Sequence, residues 1–339
     1  MSTPTSAAKT NTAWYLTSRP SGLVDRRHFD VRSTPLPPLG PGDVLVRNIY
    51  LMVPASMRLW MNAGDSYLPE QPLDEVMRGI TVGVVEKSNA AHLPVGTFVT
   101  GMGGWQQYSV SRAGAWAVIE RHPDIALTAY LGPLGLQGLT AYCGLTDVGQ
   151  PVAGETLVVT AAAGSVGSLV CQIGKKLGLR VVGIAGGPDK CAWLREKCGV
   201  DGAIDYRGED VAARLDALCP DGIDVAFENV GGPVLDLILE RINMHARIAL
   251  CGLVSSYHGA EQTAGRALMK LVNQRGLMRG FIVTDYLGEA AQVRDILTPW
   301  ILDGTLVHRE EFSSGLDSAP EAMNRVSRGE NLGLQFVRV

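Results

Sequence analysis

The sequence predicts an α/β protein in which a doubly wound parallel sheet follows an N-terminal β-rich domain. The chain has 339 residues, enough for two domains that each bury a hydrophobic core. Residues 1–125 contain short apolar runs separated by turns rich in Pro and Gly, as in an irregular β structure. From residue 126 onward, apolar strands alternate with helical segments, which is typical of a parallel sheet covered by helices.

The composition is that of a folded protein that binds neither nucleic acid nor membrane. Hydrophobic residues make up 46% of the chain and charged residues 19%, and 30 basic against 34 acidic residues give a formal net charge of −4. No block of Lys and Arg stands out, so nucleic acid is not an expected partner. The first ten residues resemble a polar tail and not a signal peptide, and no apolar run reaches the roughly 18–20 residues that span a bilayer. A cytoplasmic protein is therefore predicted.

In the β-rich domain, the clearest strand is "DVLVRNIYL", which follows a lead-in rich in Pro and Gly. Its side chains alternate as in a strand, with Val44, Val46 and Asn48 on one face and Leu45, Arg47 and Ile49 on the other. The segments "GITVGVVEKS" and "GTFVTGMGGWQQYSVS" are also predicted to be β structure, with glycines at bends or bulges. We expect residues 310–339, which contain a helix and a strand, to complete this domain.

Residues 126–309 form the second predicted domain. Its expected strands are "TLVVTA", "RVVGIA", "GAIDY", "DVAFENV", "ARIALCG" and "MRGFIVT". The expected helices are Ser165–Leu177, Pro188–Cys198, Asp210–Leu218, Pro233–Ile242 and Glu261–Gln274. Pro188 suits a first helical turn, while Gly178 and Gly199 suit helix ends.

The first strand and helix of this domain meet in the small-residue run "TAAAGSVGS". Ala162, Gly164 and Gly167 form an A-x-G-x-x-G pattern, in which an alanine replaces the usual first glycine. Small side chains allow main-chain N–H groups at a helix start to approach a pyrophosphate, which the positive end of the helix dipole also attracts. A dinucleotide site is predicted here; close packing of helix on sheet without a ligand is the alternative.

The end of the second strand favours NADP(H) over NAD(H). An NAD site usually carries an acidic residue there for the ribose hydroxyls. Ala185, Gly186 and Gly187 offer no carboxylate, and Lys190 follows with a charge that suits a 2′-phosphate. Lys190 is equally compatible with an ordinary solvated helix position.

No zinc centre and no nucleophilic serine are expected. A catalytic zinc needs three protein ligands, but the β-rich region has no cysteine and only three histidines: His28, His92 and His122. The six cysteines show no C-x-x-C spacing and are predicted to be small buried hydrophobes: Cys143, Cys171, Cys191, Cys198, Cys219 and Cys251. Ser165 lies in the phosphate turn, with no G-x-S-x-G motif around it.

Taken together, these motifs resemble the zinc-independent medium-chain dehydrogenase/reductases, in the group of prostaglandin reductases, alkenal double-bond reductases and curcumin-reductase-like enzymes. The similarity extends over nearly the whole chain and is carried by "GDVLVRNIYL", "ASMRLWMN", "EVMRGITVGVVEKS", "GLTAYCGL", "TAAAGSVGSLVCQIGKKLG", "FENVGG", "RIALCGLVSSY", "MRGFIV" and "ENLG". It implies a GroES-like β-rich domain, a Rossmann domain, NADP(H) as cofactor and a homodimer.

The resemblance also implies site residues. The pyrophosphate turn would be Gly164, Ser165, Val166 and Gly167. Lys190 and Tyr206 would flank the 2′-phosphate. The nicotinamide side would be formed by Asn229, Cys251, Gly252, Ser255, Phe281 and Val283, and Asn331 would reach the cofactor from the C-terminal segment.

Tyr257 falls where the double-bond reductases carry a tyrosine near the substrate carbonyl, so it is the expected catalytic residue; an ordinary loop tyrosine is the alternative. The substrate pocket is predicted to contain Ser56, Met57, Trp60, Tyr67, Met102, Trp105 and Tyr286, several of which suit a hydrophobic core equally well. If these residues line a pocket, they favour a bulky apolar substrate.

Three departures from the resemblance stand out. The run Pro54-Ala55-Ser56 lacks the acidic residue common in relatives, and Ile80 and Thr81 follow "MRG" in place of further glycines. Gly187 stands where relatives carry a serine in the phosphate site. The first two changes are expected to reshape the substrate pocket, and the third to weaken the preference for NADPH.

The sequence therefore predicts an NADPH-dependent ene-reductase that reduces the C=C bond of α,β-unsaturated ketones and aldehydes. Two alternatives stay open at this point. One is a carbonyl or alcohol oxidoreductase on the same scaffold, and the other is an NADPH-binding protein with little catalytic activity.

Overall fold

The structure is a computed structural model that describes residues 9–64, 67–257 and 267–339. Most of the predicted N-terminal tail and the first residues of the predicted helix Glu261–Gln274 lie outside the described residues. No helix within the described ranges is long and apolar enough to cross a bilayer.

The strands, in chain order, are β1 (Thr10–Leu16), β2 (Phe29–Pro35), β3 (Asp43–Met52), β4 (Glu75–Val76), β5 (Ile80–Ser88), β6 (Phe98–Gly101), β7 (Tyr108–Arg112), β8 (Trp116–Val118), β9 (Thr156–Val159), β10 (Arg180–Ala185), β11 (Gly202–Asp205), β12 (Ile223–Glu228), β13 (Ile242–Leu250), β14 (Leu277–Gly280), β15 (Glu310–Ser314) and β16 (Leu334–Arg338). The α-helices are α1 (Ser56–Leu59), α2 (Leu136–Cys143), α3 (Gly167–Lys176), α4 (Pro188–Glu196), α5 (Val211–Leu218), α6 (Gly232–Leu239), α7 (Leu268–Gln274), α8 (Ala290–Leu302) and α9 (Ala319–Ser327).

The chain forms two compact units. The first comprises Met1–Leu131, Phe312–Val326 and Gln335–Val339, and the second comprises Gly132–Glu311 and Ser327–Leu334. Each unit has its own sheet system and its own buried apolar core.

The first unit is built around β3, which pairs antiparallel with β5, β7 and β16. Its larger sheet has the order β15-β16-β3-β5-β6-β8, and a smaller sheet has the order β2-β1-β4. Val44 and Val46 are fully buried in one apolar cluster of this unit, because that face of β3 points into the core. Because β16 pairs with β3, the C-terminal strand lies beside a strand that is nearly 300 residues earlier in the chain.

The second unit confirms the predicted doubly wound α/β architecture. Its six strands have the order β11-β10-β9-β12-β13-β14, and all of the pairings between them are parallel. Helices follow the strands in alternation, and helix α4 starts at Pro188 as predicted. The strand order reverses between β9 and β12, and in folds of this type ligands bind at the carboxyl ends of the strands next to such a reversal.

Several predicted boundaries were wrong. The helix predicted to end at Ile242 ends at Leu239, and Ile242 instead begins β13. No Gly or Pro separates the two elements, so their apolar residues run on as one pattern. The strand predicted over "MRGFIVT" ends at Gly280, and a 3₁₀ segment starts at Val283. Helices α2 and α8 were not predicted.

Candidate functional site

The turn from β9 to α3 is closely packed main chain. Ala161 has a left-handed backbone with φ of 47°. A Cβ atom placed on Gly167 would lie 2.4 Å from the carbonyl oxygen of Ala161 and 2.9 Å from the Cα of Ala162. Real Cβ atoms do not approach backbone atoms so closely, so glycine is required at position 167 for the first turn of α3 to sit on this corner. The lack of large side chains at this corner also gives a ligand access to the start of the helix.

The start of α3 offers main-chain donors that the chain's own side chains do not cap. Val166 occupies the N-cap position and makes no side-chain capping bond. The Ser165 hydroxyl instead donates to Oε1 of Gln137, 3.2 Å away. The N–H groups of Ser168, Leu169 and Val170 donate to main-chain carbonyl oxygens. The N–H groups that precede them, at the positive end of the dipole of a ten-residue helix, form a site for a phosphate group. The residues present therefore fit the pyrophosphate of a dinucleotide.

Asn331 lies on the segment that passes this corner. The main-chain N–H of Gly333 donates to the carbonyl oxygen of Ala163 at 2.9 Å, and Gly164 and Gly333 form an isolated parallel bridge. The side-chain amide of Asn331 donates to the carbonyl oxygen of Gly333, 2.9 Å away. The structure thus brings Asn331 and the glycine turn together within one unit.

A second cluster, at the carboxyl ends of β10 and β11, contains two cations. Lys190 Nζ donates to the carbonyl oxygen of Gly329 at 2.8 Å. The guanidinium of Arg207 donates to the carbonyl oxygens of Arg328 at 3.0 Å and of Gly329 at 3.4 Å. A Cβ placed on Gly329 would lie 3.8 Å from the Tyr206 hydroxyl. Lys190, Tyr206 and Arg207 therefore surround one stretch of main chain.

Sequence reasoning missed Arg207, although "IDYR" places it directly after Tyr206. The nearby carboxylate of Asp205 is turned towards the main chain, where it accepts from the N–H groups of Gly187 at 2.7 Å and Arg207 at 3.0 Å. These two hydrogen bonds lower the pKa of Asp205. Two cations that face the same carbonyl oxygen form a cluster suited to a phosphate dianion.

At the reversal point between β9 and β12, buried hydrogen bonds join the two strand ends. Oε1 of Glu228 accepts from the Thr160 hydroxyl at 2.9 Å and from the N–H groups of Val230 and Gly231, each at 2.7 Å. Asn229 donates its main-chain N–H to the Thr160 hydroxyl at 2.8 Å and its side-chain amide to the Thr160 carbonyl oxygen at 2.7 Å. The predicted cofactor residue Asn229 therefore belongs to a network of main-chain and side-chain bonds.

The loop that carries Tyr257 is hydrogen-bonded to this network. The N–H groups of Cys251 and Gly252 donate to the carbonyl oxygen of Glu228 at 2.9 and 3.2 Å. A Cβ placed on Gly252 would lie 2.9 Å from the Tyr257 hydroxyl oxygen, so this hydroxyl sits directly over the main chain of Gly252. Ser255 donates its hydroxyl to the carbonyl oxygen of Val230 at 2.6 Å. Cys251, Gly252, Ser255 and Tyr257 are thus held together as one loop.

Phe281 and Tyr286 pack as aromatic neighbours in the second unit. The Phe281 ring centroid lies 6.0 Å from that of Phe227 and 6.2 Å from that of Tyr286. The Tyr286 hydroxyl donates to Asp147 at 2.6 Å. Burial, together with this hydrogen bond, raises the pKa of Tyr286 to about 12. Val283 begins the 3₁₀ segment that leads to Tyr286.

The remaining predicted pocket residues belong to the first unit. Ser56 and Met57 begin α1, and Trp105 donates its indole N–H to the sulfur of Met57 at 3.3 Å. Trp60 donates to the Tyr67 hydroxyl at 2.6 Å. Met102 is 50% exposed.

Met57 and Trp105 are fully buried, and Trp105 stacks on Phe29 at a centroid distance of 5.1 Å. Their burial favours the core alternative for these two residues. A substrate-lining role for Ser56, Trp60, Tyr67, Met102 and Tyr286 stays a prediction.

Among the described residues, no group of three or more His, Cys, Asp or Glu side chains is arranged to hold a metal ion. Five of the six cysteines are buried and Cys251 is half-buried. Burial raises the pKa of the Cys198 thiol to about 12, which suits a small buried hydrophobe better than a reactive thiolate.

Two family models match the chain. The N-terminal domain of oxidoreductase matches residues 12–119, and the model described as zinc-binding dehydrogenase matches residues 165–297. The NADPH-dependent curcumin reductase of Escherichia coli (strain K12) is 39% identical over 335 residues, which cover 97% of each chain. Prostaglandin reductase 1 of Rattus norvegicus is 36% identical over 96% of this chain and 98% of its own.

A solved structure is similarly close. The crystal structure of CurA from Vibrio vulnificus in complex with NADPH is 39% identical in sequence and superposes with a TM-score of 0.92. The similarity covers 97% of this chain and 99% of that chain.

Proposed function

We propose that this chain reduces the C=C bond of α,β-unsaturated ketones and aldehydes. The chain belongs to the medium-chain dehydrogenase/reductases, in the zinc-independent group of curcumin, alkenal and prostaglandin reductases. The chain is an NADP-dependent oxidoreductase of this group. The observation that carries the finer proposal is the Tyr257 hydroxyl, held over Gly252 at the carboxyl edge of the parallel sheet.

The proposed cofactor site combines the two clusters of the second unit. The uncapped start of α3 would bind the pyrophosphate through main-chain N–H groups. Lys190 and Arg207 would bind the 2′-phosphate, and Tyr206 would flank its ribose. Asn229 and the loop of Cys251 would border the nicotinamide side. When bound, NADPH supplies the hydride for the reaction.

In the proposed reaction, hydride addition to the β-carbon leaves negative charge on the carbonyl oxygen of the substrate. The Tyr257 hydroxyl would donate a hydrogen bond to this oxygen and so stabilise the enolate. A single donor of this kind contributes about 2.7–4 kcal/mol to transition-state stabilisation in a site that excludes water. A proton delivered to the α-carbon by a tyrosine or by water completes the reduction.

The 2′-phosphate assignment makes a direct prediction for Lys190. We expect Lys190→Ala to raise the KM for NADPH roughly tenfold or more, because a hydrogen bond to a charged group contributes about 1.5–3 kcal/mol. The KM for NADH should stay unchanged, since NADH lacks the phosphate. Steady-state kinetics with both cofactors measures this.

Lys197→Ala is the matched control, since Lys197 is exposed at the end of the same helix, and it should change neither KM. Arg207→Ala should act in the same direction as Lys190→Ala. An unchanged NADPH KM in Lys190→Ala would remove Lys190 from the cofactor site.

A homodimer is also part of the proposal. Strand β14 is the last strand of its sheet, so one of its edges has no strand partner within the described residues. Leu277 on this strand is 53% exposed, and Met269 and Val272 of the neighbouring α7 are more exposed still. Apolar side chains beside an open strand edge favour pairing with a second copy through a twofold axis.

We therefore expect Leu277→Lys to raise the dimer dissociation constant about tenfold or more, because it places two like charges near the axis. Light scattering over a dilution series measures the mass. Val152→Lys is the control, because Val152 is exposed in the loop before β9. A wild-type protein that is monomeric at all concentrations would contradict the dimer.

Incubation with an enone and NADPH, followed by identification of the product, tests the proposed activity. A saturated ketone supports it. An allylic alcohol would show a carbonyl reductase on the same scaffold. Tight NADPH binding without oxidation across a panel of enones would show a binding protein.

A further inference from the structure

The carboxylate of Glu228 is fully buried, although no charged partner accounts for it among the described residues. One oxygen, Oε1, accepts three hydrogen bonds, from Thr160, Val230 and Gly231. The other oxygen, Oε2, is buried without a hydrogen-bond partner among the described residues. Burying a carboxyl group with an unsatisfied oxygen costs free energy, so we looked for a role of Glu228 beyond local stability.

Thr160 and Glu228 together accept hydrogen bonds from three successive main-chain N–H groups, those of Asn229, Val230 and Gly231. In a trans peptide, the C=O of one residue and the N–H of the next lie in one plane and point in opposite directions. Thr160 accepts from the N–H of Asn229, whose plane carries the C=O of Glu228. Glu228 Oε1 accepts from the N–H groups of Val230 and Gly231. The peptide planes of these two N–H groups carry the C=O groups of Asn229 and Val230, respectively.

Each of these three carbonyl groups receives N–H groups from the Tyr257 loop. The C=O of Glu228 accepts from Cys251 and Gly252 at 2.9 and 3.2 Å. The C=O of Asn229 accepts from the N–H of Val254 at 3.1 Å, and the C=O of Val230 accepts from the N–H of Ser255 at 3.0 Å. The side chains of Thr160 and Glu228 therefore bind the N–H side of three peptide planes. The loop that carries Tyr257 is hydrogen-bonded to the C=O side of the same planes.

We propose that Glu228 is a positioning residue: its Oε1 orients two peptide planes directly and the third through the Thr160 hydroxyl, and thereby sets the position of the Tyr257 hydroxyl. This inference rests on the proposed role of Tyr257 in catalysis. A displacement of about 1 Å at a reacting centre costs on the order of 10²-fold in rate, so a carboxyl group that holds this loop has a catalytic effect without contacting substrate.

The role needs an acceptor at Oε1 and not a negative charge. Burial raises the pKa of Glu228, which agrees with an uncharged side chain being tolerated. Glu228→Gln keeps the acceptor and should retain most of the wild-type kcat. Glu228→Met keeps the length but removes the acceptor, and it should lower kcat roughly 10²-fold.

Hydrogen exchange on the protein without cofactor provides a readout that is independent of activity. In Glu228→Met, the amides of Cys251, Gly252, Val254 and Ser255 should exchange about tenfold faster or more, because their acceptors are no longer held. Glu155→Met is the matched control: Glu155 accepts from the N–H of Val152 and from Arg247 just before β9, at the amino end of the sheet. It should leave exchange in the loop unchanged.

A double-mutant cycle then tests whether Glu228 acts through Tyr257. If it does, Glu228→Met has little further effect on kcat in a Tyr257→Phe background. Losses that multiply, or loop exchange that stays at the wild-type rate in Glu228→Met, would overturn the inference. If Tyr257→Phe alone leaves kcat unchanged, the proposed catalytic role of Tyr257 fails, and the exchange experiment still decides whether Glu228 holds the loop.

Thr160→Val provides a second variant should Glu228→Met not fold. It removes the hydroxyl that both donates to Glu228 and accepts from Asn229. Faster loop exchange in Thr160→Val, restored in Thr160→Ser, supports the network. Wild-type exchange in Thr160→Val would overturn it.

Discussion

Replacement of Tyr257 by Phe is expected to lower kcat for enone reduction roughly 10²- to 10³-fold, the effect of removing one donor from a developing oxyanion. The Kd for NADPH should change little, because the variant loses only the hydroxyl group and the ring that packs over Gly252 remains. Single-turnover kinetics with an enone measures the chemical step, and calorimetric titration measures the Kd for NADPH.

Tyr130→Phe is the matched control for this prediction. The Tyr130 hydroxyl is engaged with main-chain groups of the first unit, where it accepts from the N–H of His122 at 2.8 Å. This variant should retain the wild-type kcat. A Tyr257→Phe enzyme with wild-type turnover would show that the enolate is stabilised by another group.

The substitution Gly167→Ala is expected to weaken NADPH binding at least tenfold. Its Cβ would meet the carbonyl oxygen of Ala161 at 2.4 Å, and backbone atoms in a tight corner cannot yield as a flexible side chain does. The first turn of α3 must then move away from the corner, and its N–H groups no longer point at the pyrophosphate. We expect the Kd for NADPH to rise tenfold or more, about 1.4 kcal/mol or more in binding free energy.

Gly288→Ala is the control for this effect, because a Cβ at that position meets no atom within 4 Å. Calorimetric titration of both variants with NADPH, with circular dichroism to verify folding, measures the difference. If a folded Gly167→Ala protein binds NADPH as tightly as the wild type, the pyrophosphate does not lie at this corner.

The strand and helix order of the second unit was predictable because the apolar patterns of its parallel strands are separated by glycines and polar turns. Gly178 and Gly199 have φ values of 80° and 68° at the ends of α3 and α4, as their positions predicted. The boundary between α6 and β13 was not predictable from the same cues, because no turn residue lies between them. Helix α8 was also missed; it contains Pro299, a residue that normally argues against a helix interior.

For the candidate site, sequence alone located the glycine corner, since small residues between a strand and a helix leave a recognisable pattern. It could not find the role of Glu228, because that role depends on which peptide planes its carboxyl oxygen meets. Arg207 was missed for a similar reason: its contact with Gly329 joins residues more than 100 positions apart. Such contacts follow from tertiary structure and have no local signature.

The most direct test of the proposed activity follows one hydrogen atom. NADPH that carries deuterium at both C4 positions of the nicotinamide is incubated with the enzyme and an α,β-unsaturated ketone, and the product is analysed by NMR and mass spectrometry. We predict a saturated ketone with a single deuterium on the β-carbon. Deuterium on the carbinol carbon of an allylic alcohol would contradict the proposal, because the hydride would then have been delivered to the carbonyl group.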